Sequence, residues 1–184
     1  MPVYKAIPEI RNNLELIENT IITTPVAEIE FLDVFGTYNT LIFKIFNLEL
    51  SVDAILYGGI KYGGSYQSLE NRKSELVLGS AGYTFSSQSA SDIDLSLNQV
   101  EAASGFETGL HGEIIFTHCT ETAKYKSVYS NLLFTDITIL GTQAKSWLKI
   151  NTNSVLQGFK LYANTGNIIS GIFTVFAVKE DYVI

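Results

Sequence analysis

The chain has 184 residues, of which 46% are hydrophobic and 17% are charged, and its formal net charge is −7. This length fits one domain, or one domain with a short appendage, and the apolar share excludes a disordered chain. Twelve basic residues against 19 acidic ones, with no concentrated basic group, argue against nucleic-acid binding.

The first predicted element is a short amphipathic helix from Pro8 to Asn19. Apolar residues are spaced by three and four positions, so a helix would place them on one face: Ile7, Ile10, Leu14, Ile17 and Ile21. Proline is tolerated in a first helical turn, and Glu9 suits the amino-terminal end of the helix dipole. We expect residues 1–24 to form a helical arm or anchor. The candidate oligomer contacts are Ile10, Leu14, Ile17 and Ile21. The alternative is a helix that packs on its own domain.

From Pro25 onward the hydrophobic period changes to two, which predicts strands. The strand candidates are Val26–Phe35, Leu41–Leu48, Val52–Tyr62, Gly82–Phe85, Asp92–Asn98, Leu110–Cys119, Tyr125–Tyr129, Leu132–Leu140, Ser146–Ile150, Val155–Ala163 and Ile168–Lys179. Leu41–Leu48 is apolar on both faces apart from Lys44 and Asn47, as a central strand of a sandwich would be. For residues 25–184, roughly ten strands with frequent turns predict an all-β, antiparallel β-sandwich of jelly-roll type.

The longest stretch without a charged residue runs from Leu161 to Val178. A bilayer-spanning helix needs about 20 mostly apolar residues. Four turn formers in a row, Asn164-Thr165-Gly166-Asn167, interrupt this stretch. The pattern therefore predicts a hairpin that turns at residues 164–167, and no membrane insertion.

The two histidines, His111 and His118, lie seven residues apart on one predicted strand. Side chains alternate along a strand, so the pair would face opposite sides and cannot share a metal unless a bulge intervenes. The single cysteine, Cys119, excludes an intrachain disulfide and a thiolate cluster. It directly follows His118, and adjacent side chains diverge, so a nucleophile–base pair is not expected. We predict a free, buried thiol.

Asp92 and Asp94 are the closely spaced carboxylates that a strand would place on one face. Glycosidases hold two carboxyl groups about 5–5.5 or 6.5–9.5 Å apart, which this spacing approaches; the favoured alternative is the solvated side of an amphipathic strand. The paired glycines, Gly58-Gly59 and Gly63-Gly64, lack the following helix of a phosphate loop and are typical of bulges and turns. We therefore expect no catalytic residue, no metal ligand and no cofactor.

Aromatic residues are the remaining site candidates. Tyr57, Tyr62, Tyr66 and Tyr83 cluster around a loosely patterned region, and Trp147 is the single tryptophan. A flat apolar ring with a polar tip suits both sugar stacking and protein interfaces. We therefore take Tyr62, Tyr66, Tyr83 and Trp147 as candidate glycan or partner contacts, with core or edge positions as the alternative.

Nine strand and turn segments follow one another in a characteristic order. They are Ile29-Glu30-Phe31, Phe35–Thr40, Leu41–Ile45, Ala54–Tyr57, Gly63-Gly64-Ser65, Gly112–Phe116, Val155–Leu161, Gly166–Gly171 and Phe173–Val178. In this order the segments resemble a family of bacteriophage virion β-sandwich modules that occur as tail-fibre, receptor-binding and structural proteins. The similarity covers about Val26 to Lys179. Residues 66–91 and the N-terminal segment depart from the pattern, and no catalytic residue is carried over.

The resemblance implies a non-enzymatic structural component of a phage particle, such as a tail fibre, spike or decoration protein, located in the virion. The implied partners are further copies of the chain, with a trimer favoured, other virion proteins, and a host-surface glycan as a candidate ligand. The alternative is a carbohydrate-binding or glycan-cleaving β-sandwich protein.

Overall fold

The fold is known from a computed structural model, which describes residues 13–32, 34–67, 72–78, 82–86, 93–96, 100, 109–135 and 141–179. For residues 72–78, 82–86 and 94 the description covers the backbone alone. These ranges contain thirteen β-strands and no helix, so they hold no helix long and apolar enough to cross a bilayer.

The strands, in chain order, are β1 Leu14–Ile22, β2 Glu28–Phe31, β3 Leu41–Leu50, β4 Leu56–Tyr62, β5 Ser65–Tyr66, β6 Arg72–Leu78, β7 Gly82–Ser86, β8 Ile93–Asp94, β9 Leu110–Thr117, β10 Lys126–Thr135, β11 Gly141–Ile150, β12 Leu156–Ala163 and β13 Ile168–Val178. They form two antiparallel sheets. The large sheet has the order β1-β13-β3-β9-β10-β11-β6-β7, and the small sheet has the order β2-β12-β4-β5, with β8 paired to β4. The all-β, antiparallel prediction is confirmed for the described residues.

One hydrophobic core lies between the inner faces of the two sheets. Strand alternation builds it: in β3 the side chains of Leu41, Phe43 and Ile45 are buried, while Lys44 between them points outward. Phe159 of the small sheet contacts the large sheet, with ring centroids 5.5 Å from Phe43 and 5.0 Å from Phe116. Edge-to-face rings of this kind connect the two sheets directly.

The predicted N-terminal helix is wrong for residues 14–19, because they belong to strand β1, which pairs with β13 along its length. A β-bulge between Leu16 and Glu18 explains the misleading spacing. The extra residue, Ile17, packs against the core, whereas Leu14 and Ile21 face outward. The helical period therefore combined residues from both faces of a bulged strand. The rest of the predicted helix, with Ile10, lies outside the described residues.

The predicted C-terminal hairpin is also wrong, because β12 lies in the small sheet and β13 in the large sheet. The turn at residues 164–167 passes from one sheet to the other. The amide of Ser51 donates to the carbonyl of Asn167 at 2.9 Å, which holds this turn against the bend that follows β3. Gly166 has a φ of 72°, a backbone conformation that glycine adopts without strain.

Each of the other predicted strands overlaps an observed strand, but the bounds differ. Strand β2 ends at Phe31 rather than Phe35, β4 begins at Leu56 rather than Val52, and β11 begins at Gly141 rather than Ser146. Strand β8 covers Ile93–Asp94 of the predicted Asp92–Asn98, and β5 was not predicted.

Tyr125–Tyr129 and Leu132–Leu140 were expected as two strands, but β10 runs unbroken from Lys126 to Thr135. Strand β6 lies in the charged segment after Gln67, where no strand was predicted. It pairs with β11, almost 70 residues further along the chain, and single-sequence periodicity does not detect such distant pairing.

Candidate functional site

The outer face of the small sheet carries a tyrosine–lysine cluster formed by Tyr57, Tyr66, Tyr162, Lys160 and Glu28. Tyr57 and Tyr162 are cross-strand partners whose ring centroids lie 5.8 Å apart. The Lys160 ammonium lies 4.8 Å from the ring centroid of Tyr66 and 5.0 Å from that of Tyr162. Its third contact is the Glu28 carboxylate, at 3.1 Å. The lysine is thus held between two aromatic faces and a carboxylate.

Local sequence accounts for this arrangement. Alternation in β12 turns Lys160 and Tyr162 outward while Phe159 is buried. Gly59 lies under the Lys160 stem, and a Cβ there would come within 2.9 Å of two of its carbon atoms. Burial, followed by the carboxylates of Glu30 and Glu28, raises the pKa of Tyr66. The phenol therefore stays protonated, which suits hydrogen bonding and ring contact rather than proton transfer.

A shallow groove of about 550 Å³ adjoins the cluster. Its lining residues are Leu32, Phe35, Gly36, Lys61, Gly64, Val155, Leu156 and Gln157. The side chain of Lys61 connects the two features, because its ammonium lies 5.8 Å from the ring centroid of Tyr66. Its lining is about equally polar and apolar, so a ligand there could make both apolar contacts and hydrogen bonds.

The structure separates the aromatic residues that the sequence grouped together. Tyr66 lies in the tyrosine–lysine cluster, but Tyr62 packs against the core. Trp147 is on the outer face of the other sheet and is 61% exposed. Tyr83 belongs to β7, and its side chain lies outside the described part. Tyr162 was missed as a site residue, although strict alternation from the buried Phe159 marks its outward position.

An apolar row crosses the outer face of the large sheet. Cross-strand pairing aligns six residues from six neighbouring strands: Leu16, Phe176, Ile42, Ile115, Tyr129 and Trp147. Leu16 at one end is 59% exposed, and Trp147 at the other end is 61% exposed. The four members between them are half-buried, and apolar rows of this kind on a sheet face are typical of contact surfaces.

A polar row lies beside the apolar row, two residues along five of the strands and three residues along β1, where the bulge adds one residue. Its members are Asn19, Thr174, Lys44, Glu113, Asn131 and Lys145. At its centre the Lys44 ammonium pairs with the Glu113 carboxylate, and at its β1 end Thr174 donates to Asn19 at 3.0 Å. Beyond it, Ile21, Ile172 and Phe46 follow one another across three strands, and Leu133 of β10 is exposed on the same face. Two of the candidate oligomer contacts, Leu14 and Ile21, are therefore exposed on this face.

The segment after β9 contains the residues considered for nucleophilic chemistry. His118 has a φ of 60°, and its Nδ1 lies 2.8 Å from Oε1 of Glu121. Cys119 is free and buried, as predicted. Burial raises the pKa of this thiol to about 12. It therefore stays protonated at neutral pH, which does not suit a nucleophile. Of the two carboxylates considered for glycan cleavage, Asp92 and the side chain of Asp94 lie outside the described residues.

Glu121 holds this segment together. Its carboxylate accepts hydrogen bonds from Lys124 and Asn39, both at 2.8 Å. The Lys124 ammonium, His118 and Asn39 lower the pKa of Glu121 from 4.5 to about 2. Below the segment, the buried ammonium of Lys126 donates to the backbone carbonyls of Glu121 and Lys124.

We expect Glu121→Gln to remove part of the acid sensitivity of folding. A carboxyl group whose pKa is lower in the folded chain stabilises that chain above pH 4.5, and loses this contribution as the pH falls toward about 2. The wild-type urea midpoint should thus fall more steeply than that of the variant between these pH values. Glu15→Gln is the control, since Glu15 forms a longer ion pair of 3.5 Å with Lys179. If the urea midpoints of wild type and Glu121→Gln changed equally with pH, the lowered pKa assigned to Glu121 would be contradicted.

Comparison with known protein families, with curated proteins and with solved structures gave no match to this chain.

Proposed function

We propose that the chain is a non-enzymatic structural component of a bacteriophage particle, such as a tail fibre, spike or decoration protein. In this proposal the two sheets form a β-sandwich of jelly-roll type, and the protein is located in the virion. It assembles with copies of itself and with other virion proteins.

Two properties of the fold support the sandwich. The chain passes repeatedly between the sheets: β1, β3 and β13 belong to the large sheet, while β2, β4 and β12 belong to the small one. The inner faces share one core, with Phe31, Phe43 and Phe159 in mutual contact. Alternation of this kind is typical of jelly rolls and Greek keys.

The exposed outer face of the large sheet is the observation that carries the structural role. Enzymes concentrate their chemistry in a cleft with polar side chains, whereas here the four most exposed large hydrophobic side chains of the described residues lie across a broad sheet. Such a surface is suited to contact with other protein chains. The resemblance to phage virion modules is the reason for proposing that this contact occurs in a phage particle.

Detection of the chain in particles tests this proposal. Antibody raised against the purified protein should recognise a component of purified phage particles from the same genetic source. In electron microscopy the same antibody should label one region of the particle, which would distinguish head, tail and fibre. Particles that carry no antigen would overturn the proposal, whatever the oligomeric state of the protein.

Carbohydrate binding is a second candidate, favoured by the groove that adjoins the tyrosine–lysine cluster. The groove volume of about 550 Å³ lies in the range of small-ligand sites, roughly 300–1,000 Å³. Host-surface oligosaccharides that bind wild type should bind Tyr66→Ala at least about tenfold more weakly. Tyr125→Ala, which changes an exposed tyrosine outside this cluster, should bind as wild type does. Titration calorimetry measures both, and equal affinities for the two variants would exclude this site.

A further inference from the structure

We propose that two copies of the chain pair face to face through the outer face of the large sheet. The inference rests on the proposed structural function and names the partner of its contact surface as a second copy. The two-fold axis runs parallel to the strands and passes between β3 and β9. A dimer differs from the trimer that the resemblance implied. The predicted N-terminal helix offers no basis for a trimer over residues 14–19, which form part of strand β1.

The exposed apolar area matches what a stable dimer needs. Seven large apolar residues on this face are between 38% and 61% exposed: Leu14, Leu16, Ile21, Phe46, Leu133, Trp147 and Ile172. At roughly 200 Å² for a fully exposed large side chain, they present about 700 Å². Standard interfaces bury about 800 Å² per partner, whereas the largest apolar patch of a typical monomer covers about 300–600 Å².

The polar row indicates a second copy as the partner. The two-fold axis reverses the order of the strands in the second copy, so the charged residues at the centre of one polar row face residues of opposite charge in the other. The axis between β3 and β9 places Lys44 opposite Glu113 of the second copy, and Glu113 opposite Lys44 of the second copy. Each intrachain pair then joins a ring of four alternating charges. Residues in a two-fold interface meet in such reciprocal pairs.

The apolar row is self-complementary under the same operation. The exchange of β13 with β10 places Phe176 opposite Tyr129, and the exchange of β3 with β9 places Ile42 opposite Ile115. The exchange of β1 with β11 brings Leu16 against Trp147, the two most exposed members of the row. Side chains of stacked sheets fill a layer about 10 Å thick, which these residue types can occupy.

Charge also favours contact between copies on this face. The net charge of −7 would oppose self-association if acidic groups crowded the contact. The polar row instead contains two lysines, Lys44 and Lys145, and one glutamate, Glu113. The polar row therefore does not share the negative charge of the whole chain.

Sedimentation equilibrium and charge reversal test the pairing. Wild type is expected at twice the chain mass of 20.3 kDa. Trp147→Lys should weaken the dimer roughly tenfold or more, because it places a charge where the exposed tryptophan packs against Leu16 of the second copy. Lys44→Glu alone and Glu113→Lys alone should each be monomeric, because each places like charges opposite one another across the axis.

Mixing these two single variants is the decisive measurement. In the mixed pair each charge again faces its opposite, so a heterodimer should form although neither variant pairs with itself. Lys61→Glu, which makes the same charge change on the small sheet, should leave the dimer unchanged. Circular dichroism reports whether each variant is folded.

Three outcomes would overturn the pairing: a wild-type monomer, a wild-type trimer, or a dimer that the Trp147 and charge-reversal variants leave intact. Failure of the two reversed chains to form a heterodimer would overturn the proposed axis. None of these results bears on antibody labelling of particles, so the pairing and the structural function can fail separately.

Discussion

Phe159→Ala is expected to destabilise the chain by about 3–5 kcal/mol, the range for removal of a buried aromatic ring. Phe159 is 1% exposed, and its ring lies within 6.4 Å of those of Phe31, Phe43 and Phe116, measured between centroids. From the small sheet it contacts two rings of the large sheet, Phe43 and Phe116. Its removal therefore opens a cavity between the sheets rather than within one of them. Single domains have about 5–15 kcal/mol of stability in total.

The cavity should persist because the surrounding backbone cannot close around it. Gly58 on the neighbouring strand has no side chain, and a Cβ there would lie 2.7 Å from Cε2 of Phe159. Tyr125→Ala is the control, since Tyr125 is 48% exposed and its ring contacts the Lys149 ammonium at 4.0 Å. We expect that variant to lose at most about 1 kcal/mol. Urea denaturation measures both, and a Phe159→Ala loss below that of Tyr125→Ala would contradict the role assigned to the ring.

Most strands were predictable because burial on one face leaves a period of two in the sequence. In β10 every second residue from Lys126 to Phe134 is buried, and the serine at its middle, Ser130, hydrogen-bonds its cross-strand neighbour Ser146 on β11 at 2.6 Å. Predictions failed where a local feature changed the phase. A single extra residue, Ile17, changed the phase of β1, so Leu14 and Ile21 lie on the same outer face although they are seven residues apart. Together with the inward-facing Ile17, they imitate a helical period.

Sheet membership was less predictable than strand position. The turn at residues 164–167 has the residue types of a hairpin, yet the same residues can carry a chain from one sheet to the other. The choice depends on contacts far away in sequence. Val26 forms a bridge with Ile168, and Leu50 pairs with the same residue from the other side. Neither contact can be predicted from short-range sequence patterns, because each joins residues that are more than 100 positions apart.

The apolar row and the polar row on the outer face of the large sheet could not be predicted. Each row is formed by residues of different strands, and the order of those strands in the sheet is not apparent from the sequence. Leu16 and Phe176 are neighbours on the sheet but 160 positions apart in the sequence. One signal was present in β3, whose two apolar faces were interpreted as burial on both sides. Its second face, with Ile42 and Phe46, instead belongs to the outer surface. Apolar residues on both faces of a strand thus indicate either a buried strand or an interface.

The second large effect is expected for Gly112→Ala, at about 3 kcal/mol or more. Gly112 lies in β9, between Ile45 of β3 and Leu132 of β10. Its φ is 152°, and an added Cβ would lie 2.2 Å from the carbonyl oxygen of Asn131. That oxygen belongs to the backbone of the adjacent strand, so it cannot move aside without loss of strand pairing.

Gly141→Ala is the matched control, because a Cβ at the start of β11 meets nothing within 4 Å. That variant should be as stable as wild type or slightly more stable, since alanine restricts the unfolded chain. Equal denaturation midpoints for the two alanine variants would contradict the prediction. They would show that β9 and β10 can move apart to accept the added Cβ with no loss in the free energy of unfolding.

The strain at Gly112 also affects the outer face of the large sheet, because Glu113 follows Gly112 directly and pairs with Lys44 on β3. A folded Gly112→Ala chain should therefore dimerise more weakly than wild type, while Gly141→Ala should dimerise as wild type does.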